Sequence, residues 1–332
     1  MKQKSASYWK LVWRQFKKDR LAMAGLVVIL ILFLVAIFAP LLANNKPLIL
    51  RYQSRYYFPA LFHYKKFANT DFKKLAENPG KDDFVLFPPV PYSPTEVNLF
   101  EVLEPPSRKH WLGTDDRGRD VLSRMIWGSR ISLSVGFVAV GIYVIIGIIF
   151  GSLAGYYGGW IDQVISRLIE VVICFPTFFL IITIIAFLPP SIYNIMAAIG
   201  FTGWTGVARL VRGEFLKIRE IEYVEAVKAI GAGDLRIIFR HILPNALAPV
   251  LVVATFGVAG AILTESALSF LGFGVPPPTP SWGEILSQSR AYIDFAWWLA
   301  IFPGMAIFIT VTAYNLVGEG FRDAIDPRLK ES

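Results

Sequence analysis

The sequence predicts an all-α polytopic membrane protein of six transmembrane helices, with an extracytoplasmic insert between helices 1 and 2. Three observations carry this prediction. Of 332 residues, 55% are hydrophobic and 17% charged, with a mean hydropathy of +0.51, whereas soluble domains hold about 25% charged residues. Uncharged runs long enough to span a bilayer recur along the chain. Bases gather in the short segments between them, so the net charge of +8 reflects the cytoplasmic side of a membrane protein, and no nucleic-acid partner is expected. The single cysteine, Cys174, allows no intrachain disulfide. His63, His110 and His241 lack ligand spacing, so no structural metal is expected.

The elements follow in order. In residues 1–20, Trp9, Val12, Trp13 and Phe16 recur at helical spacing among lysines, which predicts an amphipathic helix lying in the cytoplasmic interface, with membrane lipid as its partner. Residues 21–43 contain no charge; at about 1.5 Å per residue they reach about 34 Å, against a hydrocarbon core of about 30 Å. The run exceeds the apolar core of a signal peptide and reads as an uncleaved first helix. Residues 44–119 form the insert, rich in proline (Pro47, Pro59, Pro79, Pro88, Pro89, Pro91, Pro94) and in aromatics (Tyr52, Tyr56, Tyr57, Phe58, Phe62, Tyr64). They predict a compact outward cap with an aromatic core or docking surface, and proline argues against long regular elements.

Residues 120–318 form the transmembrane core, with further spans at 131–156, 168–188, 192–210, 246–271 and 296–317, and residues 319–332 form a cytoplasmic tail. Gly200, Gly203 and Gly206 dilute the fourth span and suit close helix packing. Lys2, Lys4, Lys10, Arg14, Lys17, Lys18 and Arg20 stand against one acid, Asp19, which places the N-terminus in the cytoplasm. Six crossings then return the C-terminus there and put the charged loop 211–245 on the same side.

Within that loop, Ile221, Val224, Val227 and Ile230 are spaced by three, widened by Tyr223, while Glu220, Glu222, Glu225 and Lys228 fall outside the stripe. The pattern predicts a short amphipathic helix. Gly231 suits its C-terminal cap, and Asp234 suits the N-cap of a second helix carrying Leu235, Ile238, Phe239 and Ile242. Pro244 then marks entry to the fifth span, so the expected shape is a helix–turn–helix elbow along the membrane. Gly231-Ala232-Gly233-Asp234 spells the GxGD motif of intramembrane aspartyl proteases. That chemistry needs a second aspartate sharing a proton, and none of the six spans contains one. Glu265, between Thr264 and Ser266 in the fifth span, is a candidate functional residue, because an intramembrane carboxylate is functional by default; a structural contact is the alternative. Glu170 stands at i,i+3 from Arg167, as in a helix ion pair.

The loop resembles the EAA loop of ABC-importer permeases, in which Glu-Ala-Ala is followed after three residues by Gly and after nine more by Ile-x-Leu-Pro. The matching residues are Glu225-Ala226-Val227, Gly231 and His241-Ile242-Leu243-Pro244; Val227 and His241 depart from the generic pattern. The His-x-Leu-Pro-Asn ending is similar to the peptide-importer branch. WLGTDDRGRDVLSRMIWGSRISL (111–133), LTESALSFLGFGVPPPTPSWGEIL (263–286) and GEGFRDAIDPR (318–328) also resemble the OppC/DppC-type permeases of oligopeptide, dipeptide and nickel importers. ANNKPLILRY, followed by YYFP, resembles the YejE-type subgroup.

The resemblance implies a type I ABC importer permease in a prokaryotic plasma (inner) membrane. Its implied partners are a homologous second permease of the OppB/DppB type, two ABC ATPase subunits and an extracytoplasmic substrate-binding protein. It implies coupling to the ATPases through Glu222, Tyr223, Glu225, Ala226, Lys228, Ile230, Gly231, Asp234, Leu243 and Pro244. The chain carries no GxxxxGK[ST]; Gly80-Lys81 is followed by Asp82. ATP and magnesium are therefore expected on the partner ATPases, with no cofactor on this chain and no enzymatic activity of its own. An ion-coupled secondary transporter is the alternative, but it predicts inverted repeats and more buried acids. A membrane enzyme would need a catalytic constellation that the sequence lacks.

Overall fold

The computed structural model describes residues 8–68, 70–77 and 83–325. Lys2, Lys4, Pro79, the Gly80-Lys81-Asp82 triplet and the tail from residue 326 lie outside them. Apolar runs become helices: α1 Tyr8–Phe16, α2 Arg20–Ile37, α3 Ala39–Leu42, α5 Val121–Tyr157, α6 Gly159–Ile173, α7 Thr177–Ala186 and α8 Ile192–Ile218. They are followed by α9 Glu222–Ala229, the turn α10 Asp234–Arg236, α11 Leu243–Phe270, α12 Trp282–Tyr292 and α13 Trp298–Ile325. The short helix α4 Phe72–Glu77 belongs to the insert, with strands β1 Ile49–Tyr52, β2 Arg55–Tyr57 and β3 Phe84–Leu86.

Among the described residues, four stretches are long and apolar enough to cross a bilayer: α2, α5, Asp234–Phe270 and α13. The pair α6 and α7 passes as a fifth, bent by 81°. The expected straight span at 168–188 is therefore broken. Pro176 lacks an N–H and disfavours helix at the residue before it, so the chain turns at Cys174-Phe175-Pro176. Helix α8 is long enough but, as its glycines foretold, less apolar than the others, and it continues to Ile218.

The chain divides into two compact units. The first comprises Met1–Ile29, Val135–Glu265 and Ile309–Ser332. Its helices meet through glycines spaced by four on α5. A Cβ at Gly147 would sit 2.6 Å from Val207 Cβ, at Gly151 2.5 Å from the Ala208 carbonyl, and at Gly155 2.5 Å from Phe215 Cβ. Only a bare backbone lets α5 and α8 approach this closely. Gly200 and Gly203 also meet α5 side chains, at Ile142 and Tyr143, whereas Gly206 faces open space. In α1, Val12 and Phe16 are buried on Ala22 and Ala324, while Trp9 and Trp13 are exposed. The Asp19 carboxylate accepts the amides of Leu21 (2.9 Å) and Ala22 (3.1 Å), capping α2.

The second unit comprises Leu30–Ser134 and Ser266–Phe308. Its insert holds an antiparallel sheet in the order β2-β1-β3, with Leu50 opposite Tyr57 and Val85. Gln53 and Ser54, at φ +51° and +63°, make the two-residue turn whose twist suits a hairpin. The expected aromatic core exists: Leu50, Phe67 and Phe72 are buried, with Tyr52, Tyr57 and Tyr64 packed on them. Tyr56, Phe58 and Phe62 remain outside it, exposed. Strands of three and four residues fit the limit that proline sets on regular structure.

Candidate functional site

The elbow is built in the first unit. Helix α9 ends in a Schellman motif: the Gly231 amide donates to the Lys228 carbonyl (3.0 Å) and the Ala232 amide to the Val227 carbonyl (3.3 Å). Gly231 stands at φ +82°, a left-handed conformation that side chains disfavour. The chain then re-enters helix at α10 and passes through a π-helical stretch, Ile237–Ile242, directly into α11. The Leu243 amide reaches the Ile238 carbonyl, and Pro244 has no N–H to hold the Arg240 carbonyl, so this turn is free to widen. The second arm of the elbow is thus the base of α11 and not a separate helix.

Side chains fix the elbow at several points. Tyr223 Oη donates to the His241 carbonyl (3.2 Å) and accepts from Asn245 Nδ2 (3.1 Å), which also donates to that carbonyl (2.8 Å). This triangle fastens α9 to α11. Asp234 is not an N-cap: Gly233 holds that position, and the Asp234 carboxylate accepts from Tyr156 Oη at the end of α5 (2.7 Å). Arg219 Nη1 donates to the Gly155 carbonyl (3.2 Å), satisfying the C-terminus of α5. Arg212 and Asp162 form a bidentate pair between α8 and α6, one bond at 2.7 Å.

Tethered at its base, the elbow leaves its tip bare. Glu222, Glu225, Ala226 and Lys228 are exposed, and Ile230, Leu235 and Phe239 are 83%, 69% and 62% exposed. Val224, Ile237, Ile238 and Ile242 are buried beneath. The expected stripe therefore survives only at Val224 and, half-buried, Val227; Ile221 and Ile230 face outward. Each step of three residues drifts about 60° around a helix with about 3.6 residues per turn, and Ile230 lies past its end. A cleft of about 650 Å³ beside α9 is lined by Tyr156, Arg219, Glu225, Lys228 and Asp234.

Glu265 and Ser266 are buried, while half-buried Thr264 donates its hydroxyl to the Gly260 carbonyl at 2.8 Å. Arg167 and Glu170 form the expected pair at 2.6 Å, on an exposed face of α6.

The sequence reading missed a second polar centre, in the second unit. Arg124, fully buried, pairs with Asp115 and Glu284. Asp115 also accepts from Arg119 Nε (2.7 Å), and Gln288 Nε2 donates to Glu284 (2.7 Å). Nearby, His110 bridges Asp120 (2.8 Å) and Glu101 (3.0 Å). Burial pushes the Asp120 carboxyl up, against the pull of the Ser123 amide and His110, and burial beside Arg124 lowers Arg119. The signal was present in WLGTDDRGRDVLSR, where acids and arginines alternate just before an apolar run. No group of His, Cys, Asp and Glu among the described residues could hold a metal ion.

Comparison with known proteins settles the family. Residues 147–331 match the model described as binding-protein-dependent transport system inner membrane component. This chain belongs to that family. Residues 7–59 of the permease also match the N-terminal transmembrane domain of oligopeptide transport permease C. The permease is 40% identical to a dipeptide transport system permease protein DppC of Alkalihalophilus pseudofirmus, over 98% of this chain and 92% of that one. It is 36% identical to the inner membrane ABC transporter permease protein YejE of Escherichia coli, over 95% and 96%. The methionine ABC transporter MetNI, solved in inward-facing conformations, shares its fold at a TM-score of 0.50 and 20% identity, covering 62% of this chain and 97% of that one. The permease is thus an integral membrane protein of the type I ABC importer fold, and its relatives are named as transport-system permease proteins.

Proposed function

We propose that this permease forms half of the translocation pathway of an ATP-driven importer for peptides or related small solutes, and that its elbow receives the motion of a partner ATPase. The support is the contrast within the elbow. Its tip exposes apolar and charged side chains on a rigid turn, while its base is bonded to α5 and α11. A force on Ile230 or Ala226 therefore reaches a membrane-crossing helix without a flexible joint. In this reading six crossings are made by α2, α5, the bent pair α6–α7, α8, α11 and α13, with both termini in the cytoplasm of a prokaryotic cell and residues 44–119 outside. The exposed rings Tyr56, Phe58 and Phe62 face the extracytoplasmic side. A second permease of OppB/DppB type, two ATPases that hold ATP and magnesium, and a substrate-binding protein complete the complex.

Closure of the ATPases draws the elbows together and tilts the helices between inward- and outward-facing states; a swing from 1:99 to 99:1 takes about 5.5 kcal/mol. Glu222, Glu225, Ala226, Lys228 and Ile230 make the contact. Gly231 and Asp234 set the turn, and Leu243 and Pro244 carry it into α11. The Tyr223 hydroxyl fastens α9 within the chain, so only its ring is offered to the partner. Glu265, Thr264 and Ser266 meet substrate only in a state that uncovers them. An ion-coupled transporter is not favoured, since the relatives are ABC permeases. In the test, Ile230→Cys in the assembled complex is treated with a bifunctional thiol reagent. Linkage to an engineered cysteine in the ATPase supports the reading; linkage to the second permease alone, or none, refutes it.

A further inference from the structure

We infer that the first unit contains a binding site for an anionic membrane lipid, in which one acyl chain fills an apolar groove and the headgroup lies against the bases of α1. The inference goes beyond the coupling role and holds whether or not the elbow transmits force.

A groove of about 510 Å³ is lined by five helices, with Trp13 and Phe16 from α1, Leu26 from α2, Gly141 from α5, Val258 from α11 and Tyr314 from α13. Nearly all of its lining is carbon. The described residues do not fill it, since a Cβ built on Gly141 meets nothing within 4 Å. Empty apolar space of this size forfeits the dispersion contacts of its walls, and an acyl chain restores them. The Tyr314 ring lines this groove, and its buried hydroxyl has no hydrogen-bond partner among the described residues.

Charge decides the class of lipid. Helix α1, which forms one wall, carries Lys10 and Arg14, with Lys17, Lys18 and Arg20 just beyond, all exposed. Among the described residues none of the five forms an ion pair. Asp19 is already engaged in capping α2, and Glu319 and Asp323 of α13, whose Phe321 and Ala324 pack against α1, are outnumbered by these five bases. Lys17 Nζ lies 5.2 Å from the Trp13 ring, at the wall of the groove. A phosphate at this position would supply the missing anion. A membrane helix of the second permease could fill the apolar space too, but it would leave the bases unanswered.

The assembled complex, in nanodiscs of phosphatidylcholine, is photolabelled with phosphatidylglycerol carrying a diazirine in its acyl chain. Label is expected on residues 137–144, 251–258 and 314–321, competed by phosphatidylglycerol and not by phosphatidylcholine. Gly141→Leu, which occupies open space, abolishes it. Arg14→Gln with Lys17→Gln weakens competition about thirtyfold, since each base at an anionic surface strengthens binding about fivefold. Label elsewhere, equal competition by both lipids, or no effect of either variant would overturn the inference. So would crosslinking of p-benzoylphenylalanine at position 141 to the second permease.

Discussion

The elbow and the cluster around Arg124 are both dense in charge and use it in opposite ways. In the elbow Glu222, Glu225 and Lys228 stand in solvent, and the hydrogen bonds run from side chains to helix ends, as from Tyr223 to the His241 carbonyl. Around Arg124 every charge faces another, with Arg124 and Asp115 sealed from solvent. Its charges are spent on one another, with only the buried Arg124 Nε, Asp116 Oδ1 and Gln288 Oε1 lacking a hydrogen-bond partner among the described residues, so its role is to hold the second unit in one shape. An anchored base with an unsatisfied tip is what a docking element requires. The difference predicts that changes in the cluster alter stability, and changes at the elbow tip alter coupling while stability stays.

The largest effect on stability is expected from Arg124→Met, which leaves Glu284 buried without its cation and Asp115 with Arg119 alone. A loss of about 3–5 kcal/mol follows, read as a fall in thermal unfolding temperature or as absent complex. Arg124→Met combined with Asp115→Leu and Glu284→Gln should recover part of it, and no recovery would break the contrast. Next, Gly231→Pro cannot adopt φ +82°. Uptake in proteoliposomes should fall to background while the complex still assembles in the membrane.

Tyr223→Phe removes bonds worth about 1 kcal/mol. It should lower uptake severalfold at unchanged ATP hydrolysis, because α9 then moves partly independently of α11. A smaller effect concerns pH. The Asp120 carboxyl is raised in the folded state, so the folded state holds the extra proton between the ordinary carboxylate value and the raised one. Stability from this group is complete below that window and is lost as pH rises through it. Asp120→Asn should flatten that decline in unfolding scans. Least of all, Arg167→Ala breaks an exposed pair worth about 0.3 kcal/mol and should change neither stability nor uptake.

Much of this was legible in the sequence. The Gly231 turn, the buried faces of α1 and the aromatic core of the insert each follow from a local rule, in which one residue type meets one backbone demand. The failures have two causes. The bend at Pro176 and the fusion of the second arm with α11 through Pro244 are local effects of a missing proline N–H, whereas the anchoring of Tyr223 and Asp234 depends on residues distant in the chain. Tyr156 lies 78 positions from Asp234 and Arg124 160 from Glu284, and no pattern of spacing within one segment encodes such meetings. The α5 seam of Gly147, Gly151 and Gly155 was readable as small residues four apart, but its partner helix was not.

The central claim, that the elbow tip passes ATPase motion into the permease, is tested most directly by uptake per ATP hydrolysed in the reconstituted complex carrying Ala226→Asp. Ala226 is exposed, so the substitution leaves the fold intact while placing a charge where a partner groove must close. The expected result is an assembled complex that still hydrolyses ATP and transports less than a tenth of the wild-type solute per ATP, the effect of about 1.4 kcal/mol or more lost at the contact. An unchanged ratio would contradict the account.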